Sequence, residues 1–356
     1  MKTKNLILMC SPALLLVQSV GAQTITAVQL SPNRSSAVTA VSAAQQAGYY
    51  VNSANDRHAS IWPGSASSLV DINPAGAIYS EVHGMSDNQQ VGVAIIGGCY
   101  VAGLWTGTAG SFVNLNPAGA TASVASSTSG GQQAGMAMFG NENHAGYWSG
   151  TANSWVDLHP AGATSSEALA TTETQQAGYF NGNRAALWSG TAGSLVNLHP
   201  GGELDGSTAF GLTSEYQVGV MDPYGKNRIG VMWFGSAESM VNMNPPGAWG
   251  SALYAACGDY QVGYGVFGNK MHAGIWNGTA ASFLDLNSYL GGAFTDSDAR
   301  AIWMNETTII VGGAGYRDGY EYPVMWTINP VPEPSALALI ALAALCAIRH
   351  PKKAGV

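Results

Sequence analysis

Seven tryptophans, Trp62, Trp105, Trp148, Trp188, Trp233, Trp276 and Trp326, recur at spacings of 43, 43, 40, 45, 43 and 50 residues. Self-similarity at this period marks a repeat architecture, in which each unit buries its apolar face against the next. Each tryptophan ends an apolar phrase such as His58-Ala-Ser-Ile-Trp62, His144-Ala-Gly-Tyr-Trp148, Arg184-Ala-Ala-Leu-Trp188 or His272-Ala-Gly-Ile-Trp276. Upstream by 10 to 14 residues stands the glycine of a second phrase, for example Gln45-Gln-Ala-Gly48, Gln89-Gln-Val-Gly92 or Tyr260-Gln-Val-Gly263. Twelve residues before that glycine comes a serine (Ser36, Ser80, Ser123, Ser166, Ser207, Ser251), with Ser297 at a looser spacing. Downstream, Val70, Val113, Val156, Val196, Val241 and Leu284 follow their tryptophans by eight residues and open phrases such as Val70-Asp-Ile-Asn-Pro74.

Apolar-polar alternation in these phrases is the strand period, and proline ends a strand because it cannot donate to a ladder. Composition agrees. With 46 glycines and only 10% charged residues, the chain lacks the solvated faces of a helical bundle. Its 46% hydrophobic content also excludes a disordered polypeptide. Four strands (a, b, c and d) per unit of this length make one propeller blade. The spacing therefore predicts an all-β, seven-bladed β-propeller, with blades near 36–74, 80–117, 123–160, 166–200, 207–245, 251–288 and 297–327. The last unit lacks strand d, whereas Val28-Gln-Leu-Ser-Pro32 is an orphan phrase of that pattern. Pairing of the N-terminal strand 25–31 with the last blade would close the ring and remove two open edges.

The phrases resemble those of the bacterial extracellular HAF-repeat family, named for a His-Ala-Phe phrase. Here its third residue is replaced by Ser60, Gly146, Ala186 or Gly274. The resemblance implies secreted, β-rich repeats and no catalytic residues.

Both ends read as address labels. Lys2 and Lys4, the apolar run Leu6–Val17 and small residues up to Ala22 form a signal peptide over 1–22, cut between Ala22 and Gln23. At the other end Val331-Pro332-Glu333-Pro334 precedes an apolar stretch to Ile348 and a basic end, Arg349 to Lys353. The tail 331–356 resembles the PEP-CTERM sorting signal. That resemblance implies an exosortase-type protease acting near Pro332, Glu333 and Pro334. It also implies transient inner-membrane anchoring by a short transmembrane helix, with the C terminus cytoplasmic. Without both ends, the body 23–330 holds eight Lys/Arg against 20 Asp/Glu, a formal −12. Such a charge repels phosphate backbones, so no nucleic-acid partner is expected.

No motif of catalysis appears: there is no nucleophile elbow, zinc-ligand spacing or phosphate loop. His58, His144 and His272 stand four residues before tryptophans of non-adjacent blades, which argues for hydrogen bonding to turns and for no metal. His159 and His199 occupy the asparagine position of the strand-d phrase and read as turn-satisfying groups. Asp296-Ser-Asp298 is too sparse for calcium, and no cofactor is expected. Cys99 and Cys257 fall on opposite faces of the predicted ring, so two free thiols are expected. Glu203, Asp205, Asp222, Glu142 and Asp318 are loop carboxylates that sequence alone cannot pair. The variable b–c connections of blades five to seven carry Tyr224, Lys226, Phe267, Lys270, Tyr316, Arg317 and Tyr320, aromatics interleaved with charges on loops that a rigid scaffold presents. The sequence thus points to an exported envelope or extracellular binding or structural module, with extracellular polysaccharide as a ligand. The alternatives are a propeller-type polysaccharide hydrolase or lyase and a protein-binding adhesin.

Overall fold

The computed structural model describes residues 23–31, 35–64, 68–86, 88–202 and 204–330. The signal segment and the sorting tail, including its apolar stretch, lie outside the described residues. Residues 25–328 form one compact unit. Among the described residues no helix is long and apolar enough to cross a membrane.

The compact unit is a seven-bladed propeller of four-stranded sheets. Strand a of the successive blades is Ala37–Val41, Ala77–Ser86, Ala122–Ser129, Ser166–Thr171, Leu204–Leu212, Gly250–Cys257 and Asp296–Met304. Strand b is Gln46–Val51, Gln89–Ile96, Gln132–Phe139, Gln176–Phe180, Gln217–Pro223, Tyr260–Phe267 and Ile309–Arg317. Strand c is Arg57–Trp62, Cys99–Trp105, Glu142–Trp148, Arg184–Trp188, Ile229–Trp233, Lys270–Asn277 and Tyr320–Pro330. Strand d is two residues long in blades one to six, from Val70–Asp71 to Leu284–Asp285.

The ring closes through its N terminus. Gln23–Gln29 lies beside Tyr320–Pro330 as the fourth strand of blade seven, beginning two residues earlier than the sequence pattern indicates. Its register follows the other blades: the Leu30 N–H donates to Pro323 O at 2.9 Å, as the Ile72 N–H does to Ala59 O at 3.0 Å.

All seven repeat tryptophans are fully buried. Each packs on the preceding blade: Trp105 meets Ala47, Ala59, Ile61 and Ile72 of blade one, where alanines leave room for an indole. Truncating one such side chain costs about 3–5 kcal/mol. The repeat serine staples neighbours together. Ser123 Oγ accepts the Ala102 N–H of blade two at 2.9 Å and donates to Asn116 Oδ1 at 2.7 Å. The buried repeat glutamine fixes the c–d turn, with Gln133 Oε1 accepting the Gly150 N–H at 2.7 Å.

Candidate functional site

Strand a is the innermost strand, and in every blade it carries a β-bulge. Its pairing with strand b skips one residue, three positions after the repeat serine. The strand-b glycine explains the placement. A Cβ at Gly48, Gly92, Gly135, Gly178, Gly219, Gly263 or Gly313 would stand 1.9–2.0 Å from a strand-a carbonyl oxygen beside the bulge. A bulge re-aims the extra side chain, here toward the axis. The seven bulged residues, Thr39, His83, Ser126, Leu169, Phe210, Tyr254 and Arg300, all line a central cavity of about 670 Å³. A second cavity of about 510 Å³ shares His83, Ser126, Leu169, Phe210, Tyr254 and Arg300, and adds Val124, Glu167 and Asp298 from two positions earlier in the strand. Those added residues set it toward the face of the b–c and d–a connections.

The channel wall is asymmetric. Blades five and six contribute aromatics, with the Phe210 and Tyr254 rings 5.5 Å apart and edge-on. Blades seven, one and two contribute a chain of charges. Arg300 donates to Asp298 twice (Nε–Oδ1 2.8 Å, Nη2–Oδ2 3.0 Å), and its Nη2 also reaches the Tyr316 hydroxyl at 2.8 Å and Glu321 Oε2 at 3.3 Å. Burial alone would lower the Arg300 pKa, but the charges of Asp298 and Tyr316 and the Asp298 hydrogen bond hold it well above the ordinary value. Glu321 accepts the Tyr49 hydroxyl. The Arg57 guanidinium lies 4.0 Å over the Tyr49 ring and bonds Glu81 at 2.9 Å. The other oxygen of Glu81 faces His83 Nε2 at 2.9 Å.

Burial pushes both Glu81 and Glu167 up, but their neighbours leave them shifted in opposite directions. Burial pushes the Glu81 carboxyl up, yet His83, Arg57 and Tyr79 outweigh it and bring the pKa down to about 2. Glu167 is held up by burial; the hydroxyls of Tyr179 (2.7 Å) and Ser126 and the charge of His83 offset it only in part. Among the described residues no ion pair reaches Glu167.

The residues singled out from sequence fall in several places. Tyr316 lies in strand b and bonds Arg300 and Asp298 at the channel. Arg317 stacks 4.2 Å over Tyr322, and Phe267 packs on Phe283 at 5.4 Å. Tyr224 and Tyr320 are exposed, as is Lys270; Lys226 sits in a turn, its N–H bonded to Pro223 O. Of the loop carboxylates, Asp222 is tied to Arg228 at 2.7 Å, and Glu203 lies outside the described residues. The carboxylates that line the channel are instead Glu167 and Asp298, with Glu81 and Glu321 behind them on His83 and Arg300. Asp296 and Asp298 turn to different partners, the Met271 N–H and Arg300. Cys99 is exposed at the start of a strand c, and Cys257 ends a strand a.

The repeat histidines bond their own strand d, and His58 also meets Asn52 of the adjoining b–c turn at 3.2 Å. His58, His144 and His272 reach Asp71, Asp157 and Asp285 at 2.7–2.8 Å. In blade three, His144 also stacks on His159 at 4.0 Å and nears Glu142, the one grouping of metal-ligand type among the described residues. Both nitrogens of His159 are engaged, by Ser166 Oγ at 2.8 Å and Ala163 O at 3.1 Å, copying the Asn116 side chain of blade two. Ligand lone pairs lie in the ring plane, so parallel stacked imidazoles converge poorly on one ion.

Residues 330–353 match the PEP-CTERM protein-sorting motif, which marks the chain as exported to the cell envelope or beyond. No curated protein matches the sequence. Among solved structures, the β-propeller domain of the Trilobed protease from Pyrococcus furiosus is similar (TM-score 0.51, 6% identity, 85% of this chain and 97% of that one). That domain has an open velcro topology, unlike the closed blade seven here. Pyrococcus horikoshii acylaminoacyl peptidase is also similar (TM-score 0.52, 8% identity, 86% of this chain and 54% of that one), as is a puromycin hydrolase (TM-score 0.46, 10% identity, 81% and 51%). The chain spans about half the length of these two hydrolases. At such identities the likeness is one of fold alone.

Proposed function

We propose that this exported propeller is a binding module of the HAF-repeat type that holds extracellular polysaccharide at the channel, on the face of the b–c connections. The observation carrying this reading is the ring of bulged residues. A single strand position, freed from the ladder in each blade, brings the aromatic pair Phe210 and Tyr254 into one channel with Arg300 and His83, each anchored to carboxylates. Sugar recognition uses that combination: an apolar ring face stacks on an aromatic, and hydroxyls meet fixed donors and acceptors. Tyr224, Lys226, Phe267, Lys270, Arg317 and Tyr320 form the outer rim of the same reading. Export fits it too, since strand d of blade seven begins at Gln23, the residue after the expected signal cut. The tail is then a substrate for an exosortase-type protease at Pro332-Glu333-Pro334.

The test is a glycan array followed by titration. Tyr254→Ala is expected to weaken binding about tenfold or more without lowering the melting temperature by more than a few degrees. Binding that survives Tyr254→Ala together with Tyr224→Ala and Tyr320→Ala overturns the reading. A second reading, polysaccharide cleavage, draws on Glu167. A carboxyl whose pKa burial raises, lining one cavity with the Arg300-bound Asp298, offers the pairing of acid and carboxylate that glycosidases use. Release of reducing ends that Glu167→Gln abolishes would establish it.

A further inference from the structure

We infer that the channel ligand carries a primary ammonium on a sugar ring, an amino sugar of an extracellular polysaccharide, with the ammonium on Glu167 and the ring against Phe210 and Tyr254. This rests on the proposed reading of the channel as the binding site.

The argument begins with the charges. Four carboxylates, Glu81, Glu167, Asp298 and Glu321, stand in or beside the cavities, against two guanidiniums. Both guanidiniums are committed: Arg300 is bonded to Asp298, Tyr316 and Glu321, while Arg57 is bonded to Glu81 and stacked on Tyr49. No lysine lines either cavity, and His83 Nε2 faces Glu81 rather than Glu167. Glu167 therefore lines the 510 Å³ cavity with hydroxyls as its hydrogen-bond partners and no ion pair among the described residues, the His83 charge acting on it only from beyond bonding distance. A buried carboxylate without an ion pair of its own is costly, the His83 charge offsets that cost only in part, and a neutral sugar would leave the remainder in place. An ammonium removes it through charge-assisted hydrogen bonds.

The aromatics and the net charge agree. Phe210 and Tyr254 share this cavity with Glu167, and aromatic faces attract a cation as well as a sugar ring. A body of formal charge −12 draws cationic chains toward it and disfavours uronates and sulfated glycans.

The test is calorimetric titration of the protein with a β-1,4-linked glucosamine tetramer, its N-acetylated counterpart, cellotetraose and tetralysine at physiological salt. The glucosamine tetramer is expected to bind about tenfold or more tightly than both neutral tetramers. Glu167→Gln should remove that preference, while Glu142→Gln, an exposed carboxylate on strand c of blade three, should keep it. Equal binding of the N-acetylated tetramer, or a preference that survives Glu167→Gln, overturns the inference. If those neutral tetramers still lose affinity in Tyr254→Ala, the wider reading stands alone. Tetralysine binding as tightly as the glucosamine tetramer overturns the sugar assignment, and failure of every oligomer to bind overturns both readings.

Discussion

Glu81 and Glu167 occupy the same position of strand a in blades two and four, yet their surroundings drive them apart. Glu81 sits between Arg57 and His83, and its folded pKa of about 2 lies below the ordinary 4.5. Its contribution to stability is thus present above pH 4.5 and lost as the pH falls from there through about 2. That loss is on the order of 2–3 kcal/mol. Denaturant melts across this window should show the decline, and Glu81→Gln should flatten it; an unchanged slope would refute the assignment. Glu167 has the opposite sign, its raised folded pKa making ionisation at neutral pH a cost to the fold. Little of this was legible in the sequence. The bulged residues share no chemistry, so a reading built on recurrence passes over the slot, although its variability amid fixed serines and glycines was the available signal. A second signal lay in the blades themselves. Aspartate follows histidine in blades one, three and six (His58 with Asp71, His144 with Asp157, His272 with Asp285), and asparagine accompanies Val101, Arg184 and Ile229 in blades two, four and five.

At the scale of the element, the bulge and its facing glycine form one device. The Gln-x-Gly phrase is plain in the sequence, but nothing there shows that the glycine leaves space for a carbonyl rather than for a side chain. Gly135→Ala would drive a Cβ into Val124 O, backbone against backbone. The expected cost is at least about 1–3 kcal/mol, with displacement of Ser126 and weaker ligand binding. A Gly135→Ala protein with native stability and binding would show that the bulge does not need the glycine. Strand d was the more readable element, because its Val-Asp-Leu-Asn-Pro phrase states both alternation and stop.

For the whole molecule, seven blades and their closure followed from counting tryptophans and noticing one orphan phrase. The closure is not equivalent to the other joints. In blades one to six, strand c offers the following blade's serine a backbone N–H, whereas blade seven presents Pro323, which has none, and Ser36 Oγ is left without a hydrogen-bond partner. Ser123→Ala should therefore cost about 1–3 kcal/mol, while Ser36→Ala should be nearly neutral or stabilising; matched thermal melts of the two variants decide it, and equal losses would refute the asymmetry. The ring of bulged side chains has a further consequence for descent and for engineering. Because that position bears neither ladder pairing nor the indole contacts between wedges, a library randomised at Leu169, Phe210 and Tyr254 would search new specificities while leaving the bonds of Thr39, His83, Ser126 and Arg300 to keep the wheel assembled.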